Sequence, residues 1–123
     1  MTTRDPYVAT RQELREFLSS ASSVALFSGG PASARTIVAT EVIETAVRWL
    51  RVAAPSREHA HLALDLHADG VIFLDKIDRA HVFEVIERTI REAQEGSTRR
   101  VIISGSFDES SIDCPVTRVR LSL

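Results

Sequence analysis

Lysine is nearly absent from this sequence: Lys76 stands alone, and every other basic side chain is an arginine. Cysteine, tryptophan and tyrosine also occur once each, as Cys114, Trp49 and Tyr7. A single cysteine excludes an internal disulfide and any zinc site built on several thiolates. No apolar run approaches the roughly 20 residues of a membrane span, and the N-terminus has no signal-peptide apolar stretch, so the expected location is cytoplasmic, without a membrane partner. Charge of one sign is missing too. The formal net charge is -2 and the longest basic run is Arg99-Arg100, which predicts no direct nucleic-acid partner. Repeats, low-complexity tracts and linkers are absent. What is present is an ordinary globular mixture, 44% apolar and 26% charged over 123 residues, enough for one domain (1-123) around one core.

Periodicity supplies the elements. Thr10 with Glu13 reads as a capping box, and Leu14, Phe17, Leu18 and Ala21 recur at helical spacing, so a first helix is expected over about Thr10 to Ser20. Val24 to Phe27 reads as a strand ending in the turn Ser28-Gly29-Gly30-Pro31, and Ile37, Val38, Val42, Ile43 and Ala46 mark a second helix. Trp49 to Ala53 is expected to be a strand that buries Trp49. Ser56 caps a short helix reaching Ala68. Val71-Ile72-Phe73-Leu74 suits a central parallel strand covered on both faces. Asp78 caps a helix with Val82, Val85, Ile86, Ile90 and Ala93 on one face; Phe83 is expected to join its core stripe, Glu84 to pair with Arg88 and Glu87 with Arg91, and Gly96 to end it. Val101 to Ile103 and Val119 to Leu121 complete the strands. Strands alternating with helices predict an α/β three-layer sandwich with a mostly parallel five-stranded sheet.

The turn after the first strand is where an open α/β sheet binds ligands, because N–H groups at the next helix's start point at an anion. Gly29-Gly30-Pro31-Ala32-Ser33-Ala34-Arg35-Thr36 runs in register with the phosphate-loop pattern of Gly, four residues, Gly, Lys and Ser or Thr. Ala34 and Arg35 depart from it: a methyl group stands where glycine admits the phosphates, and a planar fork replaces a slim ammonium. Candidate nucleotide contacts are therefore Gly29, Gly30, Ser33, Ala34, Arg35 and Thr36. Asp75 ends the apolar run of the later strand, and with Thr36 it is the candidate magnesium pair should ATP or ADP bind. Lys76 follows where a water-polarising glutamate would stand, so no catalytic residue is assigned. His59, His61, His67 and His81 lack metal-ligand spacing.

With these residues in view, the chain resembles the AAA+ ATPase domain of bacterial enhancer-binding proteins, the sigma-54 interaction domain. Arg11 to Leu18 looks like that family's opening helix, and Gly70-Val71-Ile72-Phe73-Leu74-Asp75-Lys76-Ile77-Asp78 like its acidic strand signature. Arg100 to Ser106 looks like its sensor strand, with Ser106 or Phe107 in place of the sensor asparagine. The resemblance implies a sheet of the P-loop NTPase type, here with no helical lid, and a nucleotide-binding, transcription-regulating ancestry. Its departures imply lost catalysis: between Pro55 and Gly70 there is no room for the sigma-gripping loop, and between Ser106 and Thr117 none for the arginine-finger helix, although Arg118 and Arg120 stand nearby. The expectation is a degenerate module that binds a protein partner or copies of itself. The alternative is a regulator that retains ATP or ADP at the altered loop without efficient hydrolysis.

Overall fold

Unbroken apolar runs in a short α/β chain belong inside a sheet covered on both sides. The computed structural model describes residues 6–105, 107 and 112–121, and it places every residue of β1 (Val24–Ser28) and β3 (Val71–Asp75) and nearly all of β4 (Arg100–Ser104) out of solvent. β2 (Trp49–Ala53) and β5 (Thr117–Arg120) alternate between covered and open positions, as edge strands do. The sheet is five-stranded and parallel throughout, in the order β2-β3-β4-β1-β5. Neither the 3-2-1-4-5-6 nor the 2-1-3-4-5 doubly wound order fits, because both place β1 beside β2, whereas here β1 lies between β4 and β5.

From β1 the chain crosses over β4 and β3 to reach β2, then steps back through β3 and β4. Right-handed crossovers running in opposite directions put their helices on opposite faces. Accordingly, α1 (Val8–Ser19) and α2 (Ala32–Ile43) share one core layer with Ala25, Phe27, Val71, Phe73 and Ile102. The other layer packs α3 (Arg57–Leu66) and α4 (Arg79–Gln94) on Leu26, Ile72, Leu74, Val101 and Ile103. The result is the expected α/β three-layer sandwich, with no helical lid among the described residues.

Side-chain caps form where the sequence offers them. Ser56 Oγ accepts from the His59 N–H, Asp78 Oδ1 accepts from the Ala80 N–H, and Gly96 leaves α4 at a positive φ of 106°. Thr10 is a correction: it lies within α1, which starts at Val8, and is only 3% exposed. With Leu14 and Phe17 it extends the buried stripe one turn backwards, and that packing takes the place of the capping box. On α4, Arg88 bonds Glu92, His61 and Asp65, while Glu84 pairs with Arg57, so the expected Glu84–Arg88 pair gives way to ties between α3 and α4. Arg99, 3% exposed, donates to the Leu64 and His67 carbonyls and pairs with Glu92, closing the C-terminal end of α3.

Two burial expectations fail for geometric reasons. Phe83 sits about 100° round the helix from Val82, at the edge of the stripe, and is 52% exposed. Trp49 lies at the open end of edge strand β2, while α2 packs on β3, and is 43% exposed. In urea unfolding, Phe73→Ala is expected to cost about 3–5 kcal/mol through lost burial and a cavity. Phe83→Ala is expected to stay within about 0.5 kcal/mol. Equal losses at the two positions would contradict this layering.

Candidate functional site

In an open parallel sheet the crevice lies beyond the carboxyl ends of the strands, where neighbouring connections leave for opposite faces. Here that point falls between β1 and β4. The chain leaving β1 enters α2 on one face, while Phe107, Ile112, Cys114 and Val116, which follow β4, pack in the cluster on the other. Period-two alternation carries Asp75 and its register partner Ser104 onto the α2 side of the sheet, along with Arg51 and Ala53 of β2. α2 brings Arg35 and Thr36 down onto them from above.

The Asp75 carboxylate is 0% exposed and is the hub of this corner. Its Oδ2 accepts from Thr36 Oγ1 at 2.8 Å, from Arg51 Nη2 at 2.8 Å and from Arg51 Nε at 3.1 Å. Its Oδ1 is buried and has no hydrogen-bond partner. The three donors come from α2 and β2, so one acid at the tip of β3 holds three elements in register. Arg51 keeps a wet edge, with its side chain 34% exposed, which lowers the cost of desolvating the pair.

Arg35 fills the crevice itself. At 6% exposure its Nε donates to Ser104 Oγ at 2.9 Å, and its Nη1 donates to the Gly29 and Gly30 carbonyls at 2.8 and 3.0 Å. The guanidinium thus spans the ends of β4 and β1. Burial pulls its pKa below the ordinary arginine value, and the negative charge of Asp75 works against that shift.

The turn is also unlike a phosphate cradle in shape and polarity. α2 begins at Ala32, so Ser33, Ala34, Arg35 and Thr36 are helical and only Gly29, Gly30 and Pro31 remain between strand and helix. A cradle turns N–H groups toward an anion. Gly29 and Gly30 turn their carbonyls toward a cation. Their outer side is closed as well: a Cβ on Gly29 would lie 2.8 Å from the Leu121 carbonyl oxygen, and one on Gly30 would lie 2.6 Å from Leu121 Cδ2. Both glycines have positive φ, 81° and 61°, and are required by this close approach.

In this closed arrangement only the buried, unpartnered Asp75 Oδ1 is left for magnesium. It demands a near-octahedral set of oxygens and keeps several waters. Asp75 has no solvent access, its Oδ2 is taken by three donors, and two guanidinium groups lie beside it. No group of three potential metal ligands from His, Cys, Asp and Glu gathers among the described residues. Of the sequence candidates, then, Thr36 and Asp75 are brought together, Arg35 joins them through Ser104, and Ser33 stays exposed on the first turn of α2. Ser106 lies outside the described residues. Arg118, in β5, donates to the Ile112 carbonyl within its own chain. Arg51 and Ser104 were missed. The signal for Arg51 is a lone charge inside a short parallel strand, which has to find a partner across the pleat.

No family model matches the chain, and no curated protein matches it. The site therefore rests on its geometry alone.

A double-mutant cycle checks the hub. Arg51→Met and Asp75→Asn are expected to couple by about 1–3 kcal/mol in unfolding free energy. Additivity within about 0.3 kcal/mol would show that the pair contributes no specific stability.

Proposed function

We propose that this chain is a binding or regulatory module built on an NTPase-like scaffold, and that it does not hydrolyse ATP efficiently. One observation carries the reading: the crevice where a nucleotide's phosphates would lie is spanned by the chain's own Arg35, and the acid that would orient magnesium is bound to Arg51. Phosphoryl transfer depends on charge-stabilising groups held free for the transferred phosphate. Here those groups satisfy one another. Lys76 occupies the position where a water-activating carboxylate would stand, so that carboxylate is missing there. The resemblance to the sigma-54 interaction domain supports transcription regulation as the setting.

A protein partner, or a second copy of the chain, is the occupant this reading requires. Of the seven large exposed apolar side chains among the described residues, Val47, Trp49, Leu62 and Leu66 sit just before or on β2 and on the helix that follows it. β2 is an edge strand without lysine or proline, and its one charge, Arg51, is turned to Asp75. Such an edge lacks the usual protection against pairing with another strand. The β5 edge differs, with exposed Arg118 and Arg120.

Purified protein with magnesium and ATP is expected to show turnover no higher than background, unchanged by Asp75→Asn. Turnover that Asp75→Asn abolishes would overturn the reading. Trp49→Glu with Leu66→Glu is expected to abolish self-association in light scattering, or capture of the partner, with stability changed by less than about 1 kcal/mol, as for exposed positions. Binding that survives both changes would place the contact surface elsewhere.

A further inference from the structure

In a parallel ladder, alternate residues of a strand turn their backbone groups to the same neighbour. The Arg48 carbonyl accepts from the Val71 N–H and the Ala54 N–H donates to the Asp75 carbonyl, so Leu50 and Val52 between them also turn N–H and C=O toward β3. Trp49, Arg51 and Ala53 turn theirs outward, where no described strand lies. Their side chains stand on the α2 face of the sheet, and Leu50 and Val52 stand on the α3 face.

Apolar side chains gather at the amino end of this edge. α3 runs back antiparallel to β2, because its last carbonyls, those of Leu64 and His67, are held by Arg99 at the foot of β4. Arg57, His61 and Asp65 bond α4, and Ala60 and Leu64 pack on the sheet. That leaves Leu62, 51% exposed, and Leu66, 70% exposed, on the outer side over β2. Leu66, in the last turn, stands level with the amino end of the strand.

Charge selects both the occupant and the register. Joining β2 to the β5 edge of another copy would be head-to-tail, without closure, and would bring exposed Arg118 and Arg120 onto an apolar edge. Joining β2 to itself, antiparallel about a two-fold axis, closes after two copies. An axis through Arg51 would set like charges directly opposite each other. An axis through Leu50 sets each Trp49 opposite Arg51 of the second copy. Asp75 already meets the Arg51 charge, and the 34% exposed side chain leaves a guanidinium face for the indole.

We infer that the chain dimerises through antiparallel pairing of β2 with a second copy, Leu50 lying on the axis, so that the two sheets become one. The outward N–H and C=O of Trp49 bond those of Arg51 of the second copy, and Leu62 and Leu66 close the α3 face about the axis. This rests on the partner-binding reading and names the partner.

The test uses the whole chain, in which Trp49 is the only tryptophan. Sedimentation velocity is expected to show a reversible monomer–dimer equilibrium, and dilution through it to shift Trp49 emission to longer wavelength. Trp49→Ala is expected to weaken the dimer by about tenfold or more, since two Trp–Arg pairs are lost together. Single cysteines in a Cys114→Ser background, with oxidised glutathione as oxidant, read the register. Opposed residues that exchange no hydrogen bonds have Cα atoms about 4.5 Å apart, within disulfide reach, so Leu50→Cys is expected to cross-link two copies. Val52→Cys, roughly 13 Å from its counterpart, is expected to stay uncross-linked. A chain that stays monomeric up to millimolar concentration, or a dimer in which Val52→Cys cross-links as well as Leu50→Cys, would overturn the inference. Should Leu50→Cys fail to fold, the unsubstituted dimer decides, and Trp49 emission that does not change on dilution counts against it. A monomer that loses a different protein partner through Trp49→Glu with Leu66→Glu removes this inference alone. A dimer that survives those two changes removes the partner-binding surface as well.

Discussion

The fold's functional end depends on one buried carboxylate. Asp75 is fully removed from water at the tip of β3, where it pairs with Arg51 of the neighbouring strand and accepts a hydrogen bond from the Thr36 hydroxyl of α2. An uncompensated buried charge costs several kcal/mol, so once Asp75 occupies this place its partners are constrained with it. The edge strand is tethered through Arg51, and α2 is drawn down through Thr36. The descent of α2 carries Arg35 into the gap between β1 and β4, where the glycine carbonyls and Ser104 receive it.

That chain of constraints accounts for the geometry of this corner. Asp75 and Thr36, the acid and hydroxyl that motif spacing brings together, are bonded to each other, and Asp75 also pairs with Arg51. A broad guanidinium at position 35 reaches backbone carbonyls that a slim ammonium would leave to water or ligand. The Gly29-Gly30 turn then tightens against Leu121, and its carbonyls face inward. Lys76 and Arg79, between β3 and the first turn of α4, stay exposed nearby.

Much of the fold was legible in the residues. The apolar runs at Val24 and Val71, the Ser56 and Asp78 caps and the alternation of strand and helix lead directly to a parallel sheet between helical layers. Strand Trp49–Ala53 was found without a turn residue before it. Its exposure was not foreseen, because a short apolar run does not tell whether a helix will cover it. Thr10 misled for a related reason: capping chemistry and a buried stripe use the same residue, and the stripe has more to gain. At the site, the proximity of Thr36 and Asp75 followed from motif spacing. Motif spacing counts residues and says nothing of where a helix begins, so the early start of α2 at Ala32 was hidden. Arg51 and Ser104 were hidden because their partners are distant in sequence, 24 residues away for Arg51 and 69 for Ser104.

The most direct measurement of the central claim is the arginine Nε–Hε spectrum of the protein, recorded alone and with saturating magnesium and ATP. The account predicts that the Nε–Hε signals of Arg35 and Arg51, bonded to Ser104 and Asp75, are among the slowly exchanging ones. The Arg51 signal is lost in Asp75→Asn, and neither moves when nucleotide and metal are added. Fast exchange of both signals in the protein alone, or release of both when magnesium and ATP bind, would contradict it.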